Sequence, residues 1–319
     1  MISSQIQNVS ISSFPRAKAK AYLELLKVRL SMLVAFSCAF GYGLATQGNV
    51  NWTTLIMLTF GGFLLSGASG CINQIIERDF DKLMTRTMNR PLPTGRVSVN
   101  EAIIFSVVCL LLSFAILTAF TNTLTVVLSF VSMVLYSFVY TPLKRVGPVA
   151  VFVGAIPGAL PPLLGWIAAT GSITHEAMII FGIQFIWQFP HFWAIAWVAD
   201  DDYKKAGFKL LPSGGGKNLN TAIQIMVYTM FLIPLGLLPA KFGVTGLNSA
   251  IVATVCGVAF FAQTFSLLRT GDRKSALRIM SERSPRQSAQ ASAVAAAKSS
   301  AFEAINAALI PPAEIPVMH

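Results

Sequence analysis

"WTTLIMLTFGGFLLSGASGCINQIIERDFDKL", residues 52–83, decides how this chain folds. From position 53 to position 72 nothing charged occurs, and then Glu77, Arg78, Asp79, Asp81 and Lys82 crowd together. About 20 apolar residues of helix cross a hydrocarbon core of roughly 30 Å, so the stretch reads as a membrane span ending in a charged turn.

The same pattern recurs on both sides. Apolar stretches fall at 30–48, 53–72, 102–120, 123–141, 149–169, 175–198, 221–240 and 246–268. Composition agrees, with 54% hydrophobic residues and only 12% charged ones, about half the charged share of a soluble domain. Disorder, collagen-like repeats and disulfide scaffolds are excluded. Cys38, Cys71, Cys109 and Cys256 lie in or at the ends of apolar runs without metal-type spacing and read as small hydrophobes. The expected fold is all-α: a polytopic membrane bundle of eight, or at most nine, transmembrane helices. The first stretch starts too late, and lacks the small-residue cleavage pattern, to be a signal peptide.

A net charge of +11 fits nucleic acid or a membrane surface. The basic residues interrupt apolar runs instead of forming a basic face, so they read as orientation signals and no nucleic-acid partner is expected. With the N-terminus inside, Arg16, Lys18, Lys20, Lys27 and Arg29 are cytoplasmic. So are the groups Arg78 to Arg96, Lys144 with Arg145, Lys204 to Lys217, and Arg269 with everything basic after it. Of the 24 Lys and Arg only Lys241 falls outside.

Gly62, Ser66 and Gly70 on the second span, and Gly154 with Gly158 on the fifth, read as close helix packing. Pro157, Pro161 and Pro162 suggest that the fifth span bends or breaks. Residues 1–270 form the membrane domain; 271–319, rich in Ser, Ala, Lys, Arg and Gln, read as a cytoplasmic tail, partly helical or disordered. The apolar piece near 301–310, before Pro311 and Pro312, is too short to span.

Nearly half of the 13 acids sit in two matching places: Glu77, Asp79 and Asp81 after the second span, and Asp200, Asp201 and Asp202 after the sixth. On a continuing helix Asn73, Glu77 and Asp81 share one face, with Asp79 elsewhere; Asp201 and Lys205 share another, with Tyr203 and Lys204 beside them. Either cluster alone reads as solvated acids balancing nearby cations. Their pairing at corresponding helix ends favours a binding site. Mg²⁺ takes a few such carboxylates together with phosphate oxygens, so two facing clusters can hold a diphosphate through bridging ions while Arg and Lys neutralise the rest. Gln184, Gln188 and His191 form a polar stripe on the sixth span, read either as interhelical bonding or as ligand contact. Asp202 returns to nearly the angle of His191 about 16 Å along the axis.

These residues also carry a family resemblance. "NQIIERDFDKLMTRTMNRPLPTGR" at 73–96 resembles the first aspartate-rich motif of the UbiA-type intramembrane prenyltransferases, and its "RT..RPL..GR" ending resembles the heme-farnesylating branch. "WQFPHFWAIAWVADDDYKKAGFKLLP" at 187–212 is similar to that branch's second motif, and "YTPLKR" at 140–145 and "GAIPGALPPLLGW" at 154–166 to its intervening segment. The resemblance covers roughly 20–270.

It implies an all-helical bundle around a central cavity open to the lipid, and transfer of a farnesyl group from farnesyl diphosphate to heme b, giving heme o, with Mg²⁺ as cofactor. It places the protein in a bacterial inner membrane with the N-terminus and the active-site loops cytoplasmic. It admits heme A synthase or oxidase-assembly proteins as further partners. By position Asn73, Glu77 and Asp81, with Asp79 nearby, match metal and diphosphate ligands of the first motif, and Asp201 and Asp202 those of the second. Arg86, Arg90, Lys144, Tyr203, Lys204 and Lys205 match diphosphate or cavity contacts, and His191 a heme contact. The chain departs from the family at Lys27-Val28-Arg29, where Lys-Pro-Arg is usual. It also departs after Arg278, where members generally have a ninth span. The alternatives are a prenyltransferase acting on an aromatic quinone precursor, or a transporter.

Overall fold

The computed structural model describes residues 13–280. The apolar stretches become eight helices long and apolar enough to cross a membrane: Val28–Thr46, Trp52–Ile76, Val99–Phe120, Thr123–Leu143, Val149–Thr170, His175–Val198, Leu219–Lys241 and Leu247–Thr270. No strand occurs among the described residues. The protein is therefore an integral membrane protein.

Short polar side chains start these helices by taking the amide donors that a helix leaves free. The Asn51 side chain accepts from Thr54 N–H, Asn122 from Thr125, Thr174 from Ala177 and Asn218 from Thr221, while Ser98 and Glu101 cap each other reciprocally. Asn122 also donates to the Ile167 carbonyl at 2.7 Å, pinning the start of the fourth span to the end of the fifth.

The fifth span is the hub. Of its apolar window 78% is buried, against 11% for the eighth span, whose Leu247, Ile251, Val255 and Val258 face outward. It packs against the first, fourth and sixth spans. Contrary to the expectation of a break, one helix runs through Pro157, Pro161 and Pro162. Small residues let its neighbours close in: a Cβ on Gly41 would strike the Pro162 carbonyl, and one on Gly165 the Cys38 carbonyl. Gly154 admits the Tyr140 ring and Gly158 the Gln188 amide. The expected small-residue stripe on the second span is displaced. Gly62 faces open space and Gly70 makes only ordinary contact with Lys27, while Gly61 and Gly67 receive Leu117 and Leu26.

The fourth span ends irregularly. Its α-helix passes at Leu135–Tyr140 into a π-helical turn before Thr141–Leu143, a local widening often found at functional sites. After the eighth span, Arg273–Met280 is a short helix packed on the sixth and eighth spans, with Ala276 and Ile279 buried. The described part of the expected tail is thus helical and packed. Residues 281–319, with the apolar piece at 301–310, lie outside the described residues. All four cysteines are unpaired.

Candidate active site

The second and sixth spans end in the same way. Each bends at one residue, Glu77 (φ −90°, ψ 3°) and Ala199 (φ −96°, ψ 7°), and each adds a short turn carrying the acids, Arg78–Asp81 and Asp200–Lys205. The bend does not scatter the first motif. Glu77 N–H donates to the Asn73 carbonyl at 2.9 Å and Asp81 N–H to the Glu77 carbonyl at 2.8 Å, so helical spacing survives and the three side chains stay aligned.

All three are buried and each meets a cation. Lys27 Nζ donates to Asn73 Oδ1 at 3.1 Å. Lys144 Nζ lies 2.7 Å from Glu77 Oε1. Arg90 Nη1 donates to both Asp81 oxygens, at 2.9 and 2.8 Å. The Asn73 amide also donates to Thr141 Oγ1 at 3.1 Å, and Thr141 in turn donates to the Tyr136 carbonyl at 2.9 Å, a group in the π-helical turn. The widened turn is thereby tied to the first motif. Lys144 Nζ sits 4.8 Å from the Tyr140 ring centre and 5.8 Å from that of Phe208. Asp79 stands apart: its side chain is 65% exposed and is taken by Arg78 and Lys82 on the outer surface.

The second turn faces the segment that follows the first. Asp202 accepts from Thr85 N–H, Arg86 N–H, the Thr85 hydroxyl and Lys205. The Arg86 guanidinium lies 5.9 Å over the Tyr203 ring. Asp200 is buried, with Lys204 at 2.7 Å and Lys217 at 3.7 Å, whereas the Asp201 side chain is 84% exposed with Lys217 at 3.6 Å. Lys204 is thus turned to its own helix, while Lys205 also reaches Thr85 Oγ1 at 3.2 Å. His191 stacks on Trp187 with ring centres 4.5 Å apart and 17° between planes. Gln188 is buried against Gly158, which supports interhelical packing for that residue.

Electrostatics follow from this crowding. Burial, reinforced by Arg90 and Lys144, pushes the Lys27 amine down to about 7 despite Glu77 and Asp81. Lys144 is buried too, and desolvation works against its charge, but Glu77 together with Tyr136 and Tyr203 outweighs it and raises the amine. Partial desolvation works against ionised Asp202, yet its hydrogen bonds hold it at about 2.

The structure therefore joins Asn73, Glu77, Asp81, Arg90 and Lys144 in one cluster and sets Asp202, Tyr203 and Lys205 against the adjoining segment at Thr85 and Arg86. Lys27, Thr85 and Thr141 are additions. Lys27 reads in the sequence only as an orientation charge, because it stands at a helix break in left-handed backbone (φ 48°, ψ 50°), which apolar periodicity does not register. Thr141 lies within "YTPLKR", one residue beyond Tyr140 and three before Lys144, and Thr85 within the first motif's "TRT".

Buried acids matched by Lys and Arg at one end of a membrane bundle make a charged site suited to an anionic ligand. The chain belongs to the UbiA prenyltransferase family, whose model matches residues 34–284. It is 51% identical over 261 residues to the protoheme IX farnesyltransferase of Cytophaga hutchinsonii, covering 82% of this chain and 91% of that one. Its identity to the protein of that name from Christiangramia forsetii is 45% over 262 residues, covering 82% and 84%. Among solved structures the fold is similar to that of a UbiA homologue from Archaeoglobus fulgidus bound to GPP and Mg²⁺. The TM-score is 0.65 at 19% identity, covering 90% of this chain and 99% of that one. A digeranylgeranylglyceryl phosphate synthase matches with a TM-score of 0.71 at 20% identity, covering 91% and 98%.

Proposed function

We propose that the protein transfers the farnesyl group of farnesyl diphosphate to a vinyl group of heme b, giving heme o and diphosphate, at the cytoplasmic face of a bacterial inner membrane. The observation that carries this reading is the line Asn73, Glu77 and Asp81, each buried against its own cation, in a chain whose relatives are named for that reaction.

The cations do the electrostatic work. Lys27, Lys144 and Arg90 are held on carboxylate or amide oxygens when no substrate is present, and exchange those partners for phosphate oxygens when the diphosphate binds. Their charge lowers the cost of breaking the allylic carbon–oxygen bond, because it is fixed where the negative charge of the leaving group develops. The heme vinyl π electrons then form the new carbon–carbon bond to the farnesyl cation. Water adds to the carbon left electron-deficient beside the porphyrin and loses a proton to solvent, completing a hydroxyethylfarnesyl group. Tyr140 and Phe208, over Lys144, are apolar walls that limit premature access of water. His191 and Trp187 offer a flat aromatic surface at membrane depth for the porphyrin.

Mg²⁺ suits this donor set. The oxygens of Asn73, Glu77 and Asp81 are hard ligands, and among the described residues no three His, Cys, Asp or Glu side chains form a cage of their own. Diphosphate oxygens would complete the shell. Asp201 is the freer carboxylate of the second turn, and bound Mg²⁺ would supply Lewis-acid stabilisation of the leaving group.

Purified protein in detergent, given farnesyl diphosphate, Mg²⁺ and an equimolar mixture of heme b and 4-hydroxybenzoate, tests the acceptor. Prenylated heme with untouched benzoate is expected. Prenylated benzoate would transfer the reading to quinone synthesis, and no transfer to either acceptor would favour a transporter.

A further inference from the structure

We propose that Asp202 is a positioning residue that clamps the segment 82–98 over the diphosphate site, in place of the metal-ligand role that its motif suggests. The proposal rests on the prenyl-transfer reading and deepens it.

The geometry is that of a two-handed grip. One carboxylate oxygen accepts from Thr85 N–H at 3.2 Å and the other from Arg86 N–H at 3.2 Å, two consecutive backbone donors 116 and 117 residues away in the chain. The first oxygen also accepts from the Thr85 hydroxyl at 3.1 Å and from Lys205 Nζ at 3.1 Å. The first oxygen is saturated by its three donors, and the two backbone amides, unlike the Lys144 and Arg90 side chains on Glu77 and Asp81, cannot swing aside to admit a cation; only the second oxygen keeps a lone pair.

A second contact joins the same two elements independently. Met84, 1% exposed, is buried with Ala206 and Phe208, just beyond the acidic turn. Farther along, Arg90 is held by Asp81 and Arg96 by Glu24 at 2.7 Å. Among the acids that hold this segment, Asp202 is the one from the second acidic turn, and it grips two consecutive backbone amides. Fixing the Thr85 and Arg86 amides fixes where the Arg86 side chain leaves the chain, facing Tyr203, and brings Arg90 into reach of Asp81. The carboxylate stays ionised throughout the physiological range, so the grip does not depend on pH there.

Asp202→Asn keeps the shape and removes charge and one acceptor; Thr85→Val removes the one hydroxyl that donates to Asp202 and accepts from Lys205, and leaves every acid in place. With Asp202→Asn, KM for farnesyl diphosphate is expected to rise about tenfold, with the half-saturating Mg²⁺ concentration within about twofold of the parent. Limited trypsin cleavage after Lys82 and Arg86 of the detergent-purified, substrate-free protein should accelerate. Thr85→Val should show the same pattern at about threefold. A shift in Mg²⁺ dependence with the segment still protected would overturn the proposal, as would unchanged KM and unchanged cleavage. If Asp202→Asn does not fold, Thr85→Val decides by the same two readouts. Cleavage needs no substrate, so unaltered cleavage counts against the clamp alone, whereas absence of product from the parent protein counts against the prenyl-transfer reading.

Discussion

Lys144 Nζ rests 2.7 Å from Glu77 Oε1, joining the end of the fourth span to the end of the second across 67 residues. The Glu77 side chain is only 6% exposed and that of Lys144 12%, so neither charge has water to fall back on. Removing one partner strands the other, at a cost of about 3–5 kcal/mol. Lys144→Met is expected to lower the melting temperature in detergent and to abolish turnover. Adding Glu77→Gln should recover much of the stability and none of the activity. Recovery of activity in the double variant would show that the pair is structural only.

The pH profile follows from Lys27. Its folded value of about 7 lies below the ordinary 10.5, so the substrate-free protein carries the ammonium below pH 7 and the amine above it. A diphosphate that prefers the ammonium must protonate Lys27 on binding once the pH exceeds 7. The kcat/KM of the parent protein, divided by that of Lys27→Met, should therefore fall as pH rises from about 7 to 9, approaching tenfold per unit. Dividing the two cancels the ionisation of the substrate itself. A ratio constant across that range would remove Lys27 from the binding site.

Packing predicts a variant that fails far from the chemistry. A methyl on Gly165 would overlap the Cys38 carbonyl of the first span, which is backbone and cannot rotate aside. Gly165→Ala is expected to destabilise the bundle by about 1–3 kcal/mol, read as an earlier thermal transition. Gly182→Ala, with no atom within 4 Å of the added carbon, is the control and should melt with the parent protein.

How far the sequence could be read varies with the physical signal. Span limits were legible to within a few residues because hydrocarbon thickness fixes helix length, as with residues 175–198 and His175–Val198. The alignment of Asn73, Glu77 and Asp81 was legible for the same reason, since i, i+4, i+8 spacing outlives the bend at Glu77. The partners of those side chains were not. That Lys27 meets Asn73, or that Asp202 grips Thr85, depends on how distant helices pack and leaves no local periodicity. Gly62 was misread because its four-residue spacing from Ser66 and Gly70 says nothing about which face meets a neighbour; the burial of Gly61 and Gly67 decided that.

The central claim is that a prenyl diphosphate loses its leaving group at the Asn73–Asp81 face. The most direct measurement is single-turnover release of inorganic diphosphate from farnesyl diphosphate by purified protein with heme b, across a Mg²⁺ titration, for the parent protein and Asp81→Asn. The account predicts Mg²⁺-dependent release in step with formation of farnesylated heme, and loss of at least about a hundredfold in rate in the variant. Release at the parental rate from Asp81→Asn would contradict it.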